Sequence, residues 1–173
     1  MSARQRGVWI ALFAALAIGI YFAARPPLSE VSTFSALCLP TTANEALRQE
    51  QMQGKVTLLV FWTTWCTPCR QEMPAIQSLY ARYRRSQLQV VGVSLGEGCD
   101  APKDFRRYYA LTFPVVCTNP KQAQELCRRL RINSIPFIVI IDRQGLVRYR
   151  KVGLSEKDSL ERERMIKRLL AER

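Results

Sequence analysis

The sequence predicts an α/β sandwich of three layers, a central mixed β-sheet with helices on both faces, preceded by one transmembrane helix. Three observations carry this. Apolar runs of strand length, among them "KVTLLVFW" (55–62), "LQVVGVSL" (88–95) and "FIVIID" (137–142), have the evenness of strands buried on both faces of a sheet. Segments with apolar residues three and four apart separate them, so strands alternate with helices. The final two runs flank "DRQG" (142–145), a turn that predicts an antiparallel hairpin.

The elements follow in order. "MSARQRG" carries two arginines and is followed by Val8–Ala24, which has no charge. At about 1.5 Å per residue this run is about 25 Å long, near the short limit for a bilayer span. Arginines ahead of it favour a cytoplasmic N-terminus and an exported remainder. A cleaved signal peptide is the rival, but "ALA" (15–17) would leave a very short apolar stretch, and cleavage after Ala24 would put Phe22 where a small residue is wanted. Residues 1–25 are therefore expected to be a cytoplasmic tip and uncleaved signal anchor. Residues 26–54 form a linker and N-terminal extension, with the stiff "RPPLSE" and a short helix over Thr42–Gln51 that a Thr42/Glu45 capping box would start.

The sheet domain spans 55–173. Lys55–Trp62 is its first strand. A helix over Cys66–Arg85 places Met73, Ile76, Leu79, Tyr80 and Tyr83 on one face, with a kink expected at Pro74. After the strand at 88–95, Asp100–Leu111 reads as a helix bearing Phe105, Tyr108 and Leu111, and 113–117 as a short strand. Asn119 and Pro120 start a helix whose apolar face is Ala123, Leu126, Cys127 and Leu130. The hairpin at 137–152 follows. Ser155 and Asp158 cap a last helix with Leu160, Met165, Ile166, Leu169 and Leu170 as its apolar positions.

Apolar residues make up 48% of the chain, enough for a core without disulfide support. Net charge is +12; setting aside Arg4, Arg6 and Arg25, which precede the first acid, leaves +9 for the rest. The positives are interspersed with acids on predicted helix faces (Arg82, Arg84, Arg85; Arg128, Arg129; Arg162, Arg164). That pattern fits a solvated surface beside a membrane and argues against nucleic acid as a partner.

Chemistry concentrates in "FWTTWCTPCR" (61–70). A metal site wants about four ligands, commonly Cys and His. The chain has no histidine and no second CxxC, so no metal is expected. A structural staple fails on size, because a ring closed between residues i and i+3 constrains little chain entropy. The pair instead falls where a buried strand hands over to a helix. Unpaired N–H groups and the helix dipole there stabilise a thiolate. Cys66 would occupy the exposed end and Cys69, one turn in, would attack any mixed disulfide formed on Cys66. Thr67 and Pro68, inside the ring, tune the potential. Trp65 packs first and shapes the docking surface beside Cys66.

"WCTPC" after a strand, Pro74 five residues beyond Cys69, "NSIPF" (133–137), the "DRQG" turn and Gly153 together resemble the thioredoxin superfamily. The extra helix and strand at 100–117 resemble its membrane-anchored, periplasmic TlpA/ResA/CcmG-like branch. The likeness spans roughly Lys55–Arg173, and 26–54 matches poorly. It implies a thioredoxin-like sandwich with a helix–strand insertion, a cis Ile135–Pro136 bond, and a backbone at Ile135 that pairs with an extended substrate. It implies that Glu72 is the branch's acid near the dithiol, able to oppose thiolate formation and shuttle a proton; a surface acid compensating the helix dipole is the alternative. It also implies that Cys99 and Cys117 end neighbouring parallel strands, hence a second disulfide, either staple or redox pair. Cys127 is expected to be an inert core thiol, and Cys38 has no assigned partner. Two positions depart from relatives: Val60 stands where thioredoxins have a buried acid, and Phe137 where many have a small hydroxyl residue.

The resemblance implies a thiol–disulfide oxidoreductase whose redox group is the Cys66–Cys69 disulfide, with no dissociable cofactor. Its substrates would be exported cysteine-containing proteins, apocytochromes c among them, and its electron donor a reductase embedded in the inner membrane. It leans towards reductant over oxidase. A thiol peroxidase is a rival because Thr63 lies three before Cys66, although Leu59 stands where that motif wants proline. A non-catalytic tethered binding or chaperone module is the other.

Overall fold

The architecture is that of a computed structural model, which describes residues 52–153 and 155–172. The predicted anchor, Cys38 and the Thr42–Gln51 helix lie outside them. Among the described residues, no helix is long and apolar enough to cross a membrane.

β1 (Val56–Trp62) is the middle of a five-stranded sheet, and all seven of its residues are buried. β2 (Leu88–Ser94) lies parallel on one side, followed by β3 (Val115–Cys117), also parallel. On the other side β4 (Phe137–Ile141) runs antiparallel and is joined by hairpin to β5 (Val147–Val152), giving the order β3-β2-β1-β4-β5. The sheet is therefore mixed, as expected.

Alternation along β1 divides the core. Val56, Leu58, Val60 and Trp62 share one cluster with Met73, Ile76 and Leu79 of α1 (Thr67–Tyr83), and with Ile166 and Leu169 of α4 (Glu156–Ala171). Leu59 and Phe61 face the opposite cluster with Leu126 and Leu130 of α3 (Pro120–Leu130). Each such side chain contributes about 1.5–3 kcal/mol on burial, so this two-sided strand anchors the domain. β2 includes Gly92 because a Cβ there would meet Phe113 and the Trp62 indole nitrogen at 3.2 Å.

Local chemistry sets the element ends. The Asp142 carboxylate accepts from the backbone N–H of Gln144 (3.0 Å) and Leu146 (2.9 Å), which folds the hairpin turn. α3 opens with a capping box: Asn119 Oδ1 accepts from Gln122 N and Gln122 Oε1 from Asn119 N, both at 2.9 Å. Asn119→Ala is expected to cost about 1 kcal/mol, read as a lower urea midpoint with unchanged slope. α1 continues through Pro74, whose missing N–H leaves the fourth carbonyl back without a helical donor.

Three expectations are corrected. α2 (Asp100–Tyr108) stops before Leu111 because Ala110 adopts φ +48°, and Leu111 is buried from the following loop. Tyr108 is 81% exposed and not on the apolar face. In α4, Leu160 is 53% exposed, whereas Arg162, spaced four and seven residues before Ile166 and Leu169, points inward at 3%. Cys127 makes no disulfide among the described residues and is half-buried, and its burial pushes the thiol pKa up.

Candidate active site around the Cys66–Cys69 disulfide

β1 ends at Trp62, and the turn Thr63–Trp65 delivers Cys66 to the N-cap of α1. Its φ/ψ of −76°/103° is extended, as a cap requires, and its Sγ accepts from Cys69 N at 3.2 Å. Pro68 sits in the first turn, where its missing donor costs nothing. Cys66 and Cys69 are joined by a disulfide, with Cα atoms 5.2 Å apart. Cys69 is fully buried, and Cys66, expected at an exposed end, is nearly so; Thr67 and Pro68 are exposed, and Trp65 is 71% exposed, which corrects the expectation that it packs first. No acid occupies the first turn of α1, so its positive end is free to stabilise a Cys66 thiolate.

The Ile135–Pro136 peptide is cis. Phe61 pairs with Phe137, so Pro136 lies at the end of the sheet from which Cys66 emerges. The Pro136 carbonyl accepts from Gly153 N at 2.8 Å. Ile135 is half-buried and packs against both core clusters. Phe137 is buried, 5.9 Å from the Phe61 ring, with the Arg150 guanidinium 5.3 Å above its own ring.

Glu72, one turn beyond Cys69, is not a surface acid. It is 1% exposed and ion-paired with Arg162. Burial pushes its carboxyl pKa up, and the Arg162 guanidinium pulls part of the way back. Arg162 Nη2 also reaches Ser159 Oγ at 3.4 Å, while its buried Nε lacks a hydrogen-bond partner among the described residues. The ion pair is thus buried inside the domain, one helical turn beyond Cys69 in α1.

Two features escaped the residue-by-residue reading. Glu97 accepts from Thr64 N (2.9 Å), Thr64 Oγ1 (2.5 Å) and Ser94 Oγ (2.9 Å), so a carboxylate holds the turn two residues before Cys66. The signal was present in "GEGC" (96–99), an acid between two glycines at a strand-to-helix joint. A groove of about 460 Å³ runs from Thr64 and Arg70 to Phe105, Tyr108 and Tyr109. Its Phe105 and Tyr109 rings stack at 4.3 Å. Cys99 and Cys117 are disulfide-bonded, Cα–Cα 5.2 Å.

The model of the AhpC/TSA family matches residues 32–150. The chain is 28% identical over 161 residues to the thiol-disulfide oxidoreductase ResA of Geobacillus kaustophilus, covering 91% of each chain. It is 33% identical over 126 residues to the thioredoxin-like protein YneN of Bacillus subtilis, covering 71% of each. Among solved structures, it superposes on a candidate DsbE, a thiol:disulfide interchange protein of Chlorobium tepidum, with a TM-score of 0.71 and 29% identity. That match covers 78% of this chain and 93% of the other. Bacillus subtilis StoA gives 0.58 and 28%, covering 73% and 93%.

Proposed function

The chain belongs to the thioredoxin-like AhpC/TSA family, and from that premise we propose that it is a thiol–disulfide oxidoreductase acting on exported, cysteine-containing proteins. The observation that carries the reading is Cys66 as the N-cap of α1, bonded to a buried Cys69. In the reducing direction, the Cys66 thiolate attacks one sulfur of a substrate disulfide and the other sulfur leaves as a thiolate. Cys69 then attacks Cys66 Sγ, the mixed disulfide breaks, and the substrate departs as a dithiol. Two electrons pass to the substrate, and the chain is left with the disulfide seen here. Glu72 takes the Cys69 proton as that thiol becomes nucleophilic. Ile135 and Pro136 line the substrate's approach, and Trp65 its flank.

The finer reading is a reductase anchored in the inner membrane by Val8–Ala24, facing the periplasm. A membrane-embedded thiol reductase recharges it, and apocytochromes c are among its substrates. The reading draws on the ResA-named relatives and on the uncharged N-terminal run. Cys69→Ser is expected to accumulate mixed disulfides on Cys66 in cells, seen as dithiothreitol-sensitive bands. A folded variant without such adducts would sink the mechanism. Alkylation of the native chain in cells should find Cys66 and Cys69 mostly reduced, and mostly oxidised cysteines would reverse the direction.

A second reading, thiol peroxidase, has one observation behind it: Thr63 Oγ1, three residues before Cys66, is buried without a hydrogen-bond partner among the described residues. Peroxide consumption by the purified chain separates it from disulfide exchange. A non-catalytic tethered module is tested by insulin reduction, which it would not support.

A further inference from the structure

We infer that Cys99–Cys117 is a second thiol–disulfide exchange site, which accepts electrons from a partner dithiol and is coupled to Cys66–Cys69 through the Glu97 carboxylate. The inference deepens the oxidoreductase reading, and the coupling rests on it.

Placement comes first. Ser94 pairs with Cys117 on one side and with Trp62 on the other. The second disulfide therefore lies at the same end of the sheet as the first, two strands along. A staple for the short strand β3 would serve equally well with both sulfurs buried. Here the two ends differ: Cys117 is 1% exposed, whereas Cys99 is half-exposed at the N-cap of the nine-residue α2. An incoming thiolate thus meets Cys99. The α2 dipole favours a thiolate on Cys99 after release, although its side chain makes no capping hydrogen bond and Asp100 in the first turn opposes this.

The step balances with a dithiol partner of the class already invoked. A partner thiolate attacks Cys99 Sγ, the bond to Cys117 breaks, and buried Cys117 takes up the proton the partner lost. The partner's second thiol then attacks the mixed disulfide and frees Cys99. The partner is oxidised by two electrons and Cys99–Cys117 is reduced.

Coupling follows from the loop that carries Cys99. Gly96 (φ +81°) and Gly98 (φ +67°) adopt left-handed backbone that favours glycine, and between them Glu97 turns back onto Thr64 and Ser94. The same loop is held to the residue after Cys117, through Gly96 N to Thr118 Oγ1 (2.8 Å) and Gly98 N to Thr118 O (3.0 Å). One short segment therefore joins both partners of the second disulfide to the turn that presents Cys66. Opening the disulfide removes its covalent tie and loosens the Glu97 grip on Thr64.

The test uses three forms of the full chain: native, Cys66→Ser/Cys69→Ser, and Cys99→Ser/Cys117→Ser. Each is equilibrated with graded ratios of reduced to oxidised dithiothreitol, alkylated, and read by peptide mass, with circular dichroism confirming the fold. In the Cys66→Ser/Cys69→Ser chain, Cys99–Cys117 should be reduced while folded, at a midpoint within about a hundredfold of that of Cys66–Cys69. The Cys66–Cys69 midpoint should shift at least about threefold when the second pair is removed, and Glu97→Gln should abolish that shift. A Cys99–Cys117 bond that opens only in denaturant overturns the exchange site, and an unmoved Cys66–Cys69 midpoint overturns the coupling. Insulin reduction is read separately on the native chain, so loss of the oxidoreductase reading would show there while the Cys99–Cys117 titration still stood.

Discussion

Replacing Cys66 by serine is expected to leave the chain folded and its insulin-reduction rate at least about a thousandfold lower, at the uncatalysed background. Serine is an excellent N-cap, so the α1 start that Cys66 now provides through Cys69 N is kept or improved. The lost ring is only four residues long and constrained little of the unfolded chain. What disappears is the N-cap sulfur, on the less buried residue of the pair. Cys69 cannot replace it, because it is fully buried one turn into the helix. Turnover and thermal unfolding should therefore separate cleanly: activity falls to background while the midpoint moves by a few degrees at most. Retention of a tenth of the native rate would place the nucleophile elsewhere.

Arg162→Ala is expected to destabilise the chain by about 3–5 kcal/mol near neutral pH, the range for removing one partner of a buried ion pair. Arg162 and Glu72 are 3% and 1% exposed, so neither is relieved by water. The sign of the pH dependence follows from Glu72. Its folded-state pKa lies above the unfolded value of about 4.3, so the folded chain holds a proton that the unfolded chain has lost. That contribution is fully present below the unfolded pKa and is lost as pH rises through the folded one. Removing Arg162 takes away the group that pulls the carboxyl down, so the window extends to higher pH. Urea unfolding followed against pH should show native stability falling through the window, a longer fall in Arg162→Ala, and none of this slope in Glu72→Gln. The double variant Arg162→Leu/Glu72→Gln should recover most of the loss. An Arg162→Ala chain within about 1 kcal/mol of native at pH 8 would mean the pair is not uncompensated when broken.

What could be read from letters alone follows a physical line. β1, the Asn119 start of α3 and the "DRQG" hairpin were legible because each depends on neighbours in sequence: apolar continuity, a cap three residues from its donor, an Asp folding its own turn. Cys66 and Cys69 were legible for the same reason, since the strand–helix joint supplies the chemistry. Arg162 was not, because hydrophobic periodicity scores apolar letters and cannot register a buried guanidinium whose partner lies on another helix. Tyr108 failed because the core-facing side of α2 runs from Phe105 to Tyr109, four residues on, which leaves Tyr108 towards solvent. Glu97 needed the fold itself, since its partner Thr64 is 33 residues away.

Among the described residues the two rims of the sheet are unlike each other, and both discourage neighbours. β3 offers three residues, too few for another chain's strand to grip. β5 carries Arg148, Arg150 and Lys151 among its six residues, and charged side chains on an edge strand blunt its pairing with another chain. Chains crowded at high density then collide repeatedly without zipping into shared sheets.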